Sequence, residues 1–122
     1  MPSPFENPDL EQQFSEAEKR VIAGDPEAIE LLSHLCHRRP DDARPRFLLG
    51  ALFEGLGRFE ESLSALNVAL QRDGGQVQVI AAKARVLDRL GQTAEAERFL
   101  SDALRDQPRS SSLWANFGVL LE

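Results

Sequence analysis

The stretch that decides the fold is Gly50-Ala51-Leu52-Phe53-Glu54-Gly55-Leu56-Gly57, which returns 34 residues later as Ala84-Arg85-Val86-Leu87-Asp88-Arg89-Leu90-Gly91. Each copy opens on a small residue, places a bulky apolar residue three positions on, and closes on glycine. Working outward in the same register, Gly118 joins Gly50 and Ala84, and Leu121 joins Phe53 and Leu87. Ala28, Ser62 and Ala96 share a column, and Leu32, Leu66 and Leu100 share another four residues later. Each unit ends at Pro40, Gly74 or Pro108. Chance rarely aligns small, bulky and chain-breaking positions together, so the fixed period marks a repeat protein.

Between the breakers, apolar residues recur three and four apart, as they must when one stripe of a helix faces a core. Leu63, Leu66, Val68, Ala69 and Leu70 show this, as do Ile29, Leu31, Leu32, Leu35 and Cys36. The pattern predicts helices near 9–22, 26–38, 42–56, 59–72, 76–90, 94–106 and 111–121. Asp25-Pro26-Glu27 supplies a capping carboxylate and a proline at a helix start, and Asp41 and Thr93 are placed to cap similarly. Connections this short force successive helices to run antiparallel. A helix of about 13 residues is marginal alone in water, so each hairpin must lean its apolar stripe on its neighbours. The expected fold is all-α, a right-handed superhelical solenoid of antiparallel helix pairs with an open concave side. Its units are expected at about 9–42, 43–76 and 77–110, with a partial unit at 111–122 ending on an unpaired helix, after a flexible segment at 1–8.

Composition bounds what such a chain can do. Of 122 residues, 42% are apolar and 28% charged, a globular balance. The formal charge of −6 is concentrated at one end, since residues 1–30 hold eight acidic and two basic side chains. Phosphate binding needs a cationic surface, so nucleic acid and anionic membranes are excluded as partners. Cys36 is the only cysteine, so no internal disulfide forms. The start, Met1-Pro2-Ser3-Pro4-Phe5-Glu6, lacks the basic and apolar regions of a signal peptide, and no apolar run reaches membrane-spanning length. A cytoplasmic protein is expected.

Trp114-x-x-Phe117-Gly118-x-x-Leu121 resembles the first-helix signature of the tetratricopeptide repeat, and Ala96-x-x-x-Leu100 with Ala103 and Pro108 resembles the second-helix signature. The resemblance covers about residues 41–122 well and 9–40 weakly. Glu16 and Lys19 occupy columns that should be small and apolar, which makes the first helix a divergent or displaced cap. Lys83 shares a column with Leu49 and Phe117, and Arg46 and Ile80 replace the expected tryptophan. The resemblance implies a scaffold that holds a protein or peptide in the concave groove lined by each unit's first helix.

Taking about 100° per residue, the face opposite the core columns carries Arg44, Phe47, Leu48, Ala51, Glu54 and Gly55 in the third helix. The fifth gives Gln78, Ala81, Ala82, Arg85, Asp88 and Arg89, and the seventh gives Ser112, Ala115, Asn116, Val119 and Glu122. Two readings of this surface compete. In one, a partner carboxylate pairs with Arg85 or Arg89; in the other, Asp88 and the neighbouring arginines neutralise one another. Some family members clamp acidic tails with lysines and asparagines in these columns, but here the columns are mostly Phe, Leu, Ala and Val, which disfavours that clamp.

Other features carry less chemistry than they suggest. His34, Cys36 and His37 are metal-ligand types, but on a helix Cys36 points away from His34 and a fourth ligand is missing. Gly55-x-Gly57 lacks the strand, lysine and third glycine of a phosphate loop. Glu60-Glu61 and Asp41-Asp42 sit at helix starts, where carboxylates complement the dipole. No nucleophile, base and orienting acid form a set, so no catalytic residue, cofactor or metal is expected. Leu113, Trp114, Phe117, Leu120 and Leu121 are more apolar than an end cap needs. Either the natural chain continues past this edge, or a homo-oligomer forms through the last helix. The leading functional expectation is a protein-binding adaptor; the alternative is an N-terminal accessory or oligomerisation domain of a larger protein whose catalytic part lies beyond residue 122.

Overall fold

The computed structural model describes residues 6–73, 76–111, 113–115 and 118. Six helices follow in order: α1 (Glu6–Ile22), α2 (Ala28–Arg38), α3 (Ala43–Gly55), α4 (Phe59–Arg72), α5 (Val77–Arg89) and α6 (Thr93–Asp106). Residues 111, 113–115 and 118 are helical too, in the span expected for a last helix, and no described residue is in a strand. Helix α1 begins at Glu6, so residues 6–8 belong to it rather than to a flexible segment. Pro8 permits this because first-turn amides have no partner inside a helix, and proline there removes nothing.

The caps correct the sequence reading in three places. Asp42, not Asp41, caps α3: its backbone is extended and its carboxylate accepts the amide of Arg44 at 3.0 Å. Thr93 is not a cap but the first residue of α6, because the helix starts one residue earlier than expected; its hydroxyl instead donates to Asp88 at 2.7 Å. Asp25 does not cap α2: it accepts the amide of Glu27 at 2.9 Å within the turn before the helix. That helix starts at Ala28 rather than at Pro26, and its N-cap, Glu27, makes no side-chain cap bond.

Gly57 and Gly91 end α3 and α5 with φ of 77° and 82°, a left-handed conformation costly for any residue with a Cβ. Around each glycine the same bonds close the helix: Arg58 N–H to Phe53 O at 2.8 Å, and Gln92 N–H to Leu87 O at 2.9 Å. Helix α1 ends the same way at Gly24, with Asp25 N–H donating to Arg20 O at 2.9 Å. Gly24 therefore matches Gly57 one residue out of the 34-residue register, and fully buried Ala17, not exposed Glu16, takes the column of Gly50. The first helix is displaced by one residue, not lost as a packing element.

The core runs along the row of helices. One cluster joins α1, α2 and α3 through Leu10, Ala17, Leu32, Leu35, Leu49 and Leu52. A second joins α3, α4 and α5 through Ala43, Leu66, Ala69, Val79 and Val86. A third joins α5, α6 and Leu113 through Ile80, Leu87, Leu100 and Leu104. Each helix touches only near neighbours, and α1 does not meet α6, so the row stays open as a superhelix of stacked hairpins.

Candidate functional site

Helices α3 and α5, the first helices of two successive units, lie side by side. Their shared face is joined by an ion pair across 31 residues of sequence: Arg85 Nε and a terminal nitrogen donate to the two oxygens of Glu54 at 3.1 and 3.2 Å. Two parallel bonds fit the planar guanidinium to the carboxylate, and Glu54 is mostly sheltered from solvent. Arg85 is thus occupied by a partner that neither sequence reading named. Asp88, expected to neutralise the arginines, accepts from Thr93 instead.

Several other expected groove residues are engaged in holding the fold. Arg44 binds Asp42 with its closest approach at 2.7 Å and lies over the Phe14 ring at 4.5 Å, which pins α3 to α1. The hydrogen bond from Arg44 holds the Asp42 carboxyl below the usual carboxylate range, and the Arg44 guanidinium is raised in turn. Phe47 packs partly buried against the cluster between α3, α4 and α5. Ala81 and Ala82 are buried, and Ala82 belongs to that same cluster, packed with residues of α3 and α4. A wheel drawn on one helix misses this packing, since it depends on a neighbour.

What remains open is a hollow of about 490 Å³ between the ends of α3 and α5, lined by Ala51, Glu54, Gly55, Gly57, Phe59 and Arg89. Among the described residues Arg89 makes no ion pair, and its guanidinium is exposed in the last turn of α5, where the helix dipole favours a cation. Gln78 is exposed as well, at the other end of α5. Ala115 is exposed after α6, while Ser112, Asn116, Val119 and Glu122 lie outside the described residues. Gly57 and Phe59 were missed because they belong to a turn and to the start of α4, not to a first-helix face. Their signal was the positive-φ glycine, which folds the chain back and carries Phe59 to the end of α3.

Chemically, the hollow offers a five-donor cation, an aromatic ring and small residues that admit a backbone closely. Elsewhere, Cys36 is buried, which pushes its thiol pKa up, while His34 and His37 are exposed. Among the described residues no three His, Cys, Asp or Glu side chains gather to hold a metal. No described helix is long and apolar enough to cross a membrane.

Comparison with known proteins agrees with this architecture. The sequence profile of the tetratricopeptide repeat matches residues 55–117. No curated protein sequence matches the chain. Among solved structures, PcrH in complex with the chaperone binding region of PopB superposes with a TM-score of 0.82 at 25% identity, covering 96% of this chain and 98% of that one. The type III secretion chaperone SycD of Yersinia enterocolitica, in complex with a peptide of the translocator YopD, gives 0.80 at 21% identity over 97% and 96%. The TPR2AB domain of yeast Sti1 in its pHSP90 complex gives 0.81 at 20% identity, covering 95% of this chain, which spans 48% of the Sti1 chain.

Proposed function

This chain belongs to the tetratricopeptide repeat family, and from that premise we propose that it is an adaptor that holds a partner protein or peptide along the face shared by α3 and α5. The observation that carries the proposal is the hollow with its uncommitted Arg89 beside Phe59, Ala51 and Gly55. Structures of similar fold are described as complexes with peptides or binding regions of other proteins. The partner segment brings an acidic side chain to Arg89 and an apolar one to Phe59. Arg85 and Glu54 set the floor of the trough, so that α3 and α5 hold a fixed spacing as the segment lies across them. Arg44 and Phe47 support that spacing from beneath, while exposed Gln78 and Asp88 extend the surface along α5. We place this adaptor in the cytoplasm, where buried Cys36 stays a thiol.

A photo-crosslinking amino acid at Ala51 tests this in extract of the source cell, with one at exposed Ser64 on α4 as the reference position. The expected result is a discrete crosslinked partner from Ala51 that disappears when Arg89→Glu is added. Equal crosslinking from both positions, or a partner that ignores Arg89→Glu, overturns the reading. Glu54→Gln separates the roles of the two arginines, because it frees Arg85 without reversing any charge on the surface.

A further inference from the structure

A second hollow lies on a different part of the molecule, between α4, α5 and α6, and its chemistry is opposite to that of the first. Its volume is about 530 Å³ and its lining is Leu70, Ile80, Phe99, Ala103, Asp102, Asp106 and Gln107. That is within the range of roughly 300–1,000 Å³ typical of ligand sites. The cause is legible in the repeat. Ile80 stands in the column occupied by Arg46 one unit earlier and Trp114 one unit later, and isoleucine is smaller than either. Trp114 shows the reach of a large side chain at this column, since its indole N–H extends to Pro108 O at 2.8 Å. At Ile80 the chain supplies an apolar floor and leaves the volume above it unfilled.

The lining also decides the charge of what fits. It contains two carboxylates and no basic side chain. Asp106 makes no ion pair among the described residues, and Asp102 has only Arg105 at 3.7 Å, with both side chains largely in solvent. A pair so exposed is worth little and is readily exchanged for another cation. We propose that this hollow is a second docking site, taking a peptide segment in which a bulky apolar side chain is flanked by arginine or lysine. The apolar side chain supplies the volume that the column lacks at Ile80, and the flanking cation pairs with Asp102 or Asp106. The site is independent of the α3–α5 face, where Arg89 is an exposed cation that makes no ion pair among the described residues. Together the two hollows would let one chain join an acidic segment to a basic one.

The test is a displayed library of random dodecapeptides selected on the immobilised chain, with the recovered peptides then synthesised and titrated by fluorescence anisotropy. The expected outcome is a class with a bulky apolar residue next to Arg or Lys whose affinity falls about tenfold or more in Ile80→Trp, which fills the hollow. The same class weakens in Asp102→Asn with Asp106→Asn, a surface pair that leaves the core untouched, and is indifferent to Arg89→Glu. Melting curves for each variant confirm folding, and the Asp pair keeps the test decisive if Ile80→Trp fails to fold. Absence of such a class, or binding that ignores both sets of substitutions, overturns the proposal. So does dependence on Ile80 by acidic peptides alone. Peptides that respond only to Arg89→Glu report on the α3–α5 face, so the two readings fail separately.

Discussion

The unit built from α3 and α4 and the unit built from α5 and α6 share a period but hold their hairpins together by different means. In the first, a Cβ on Gly50 would lie 2.6 Å from Leu66, so only glycine admits so close an approach. Buried Ser62 spans the same gap, its hydroxyl donating to Gly50 O at 2.6 Å. In the second, Ala84 and Ala96 occupy these columns, both buried and both without a polar atom to share. The starts differ as well: Asp42 caps α3 with its carboxylate, while Gln76 in the same column makes no side-chain cap for α5. Lys83 stands in the column of Leu49, partly buried over Phe99 at 4.6 Å, and burial lowers its pKa against the opposing influence of Glu95. The two units therefore share their small, bulky and turn columns at the helix contact, while the chemistry that joins each hairpin differs.

The largest break in this comparison is expected from Gly50→Val. Leu66 is fully buried and has nowhere to retreat, so overpacking should cost about 3 kcal/mol or more in urea unfolding. Ala84→Gly, the reverse change in the matching column, should cost only about 1 kcal/mol, from helix propensity. Equal losses would show that the two hairpins approach each other to the same degree. Ser62→Ala should cost about 1 kcal/mol by removing the hydroxyl bond, bringing that column to the state of Ala96.

The caps offer a test with a pH signature. Asp42→Ala should cost about 1–2 kcal/mol at neutral pH. The folded carboxyl titrates below its unfolded value, first because Arg44 hydrogen-bonds the charged form. Its contribution is thus present above the unfolded pKa of about 3.9 and lost as the pH falls through the folded value. Wild type and variant should converge in acid; a gap that stays constant would assign the effect to packing alone. Gln76→Asp should add the missing cap to α5 and raise stability by about 1 kcal/mol. The smallest effect is expected from Lys83→Leu, a gain of about 0.5 kcal/mol as relief of desolvation outweighs the lost ring interaction. Thermal melts in one buffer rank these last two directly.

The row of hairpins was readable because it depends on spacing, and spacing is a property of the sequence itself. Column matches located Leu32, Leu66 and Leu100, and all three are fully buried. The matches also exposed their own failure at Glu16, where a one-residue displacement put Ala17 in the small column and, further on, Gly24 in the turn column. The candidate site was less legible. Of the residues read onto the face of α3 and α5, Ala51, Glu54 and Arg89 line one hollow. Ala81 and Ala82 are buried rather than open, Ala82 among residues of α3 and α4, and Phe59 was missed because a turn delivers it.

Sequence alone determined that there are paired helices and where their small and bulky columns fall. Tertiary structure alone decided which arginine is spoken for and which hollow stays empty. Pairing of Arg85 with Glu54 and the opening above Ile80 both arise where separate units meet, and the distance across such a junction follows from how whole helices pack, not from any spacing along the chain.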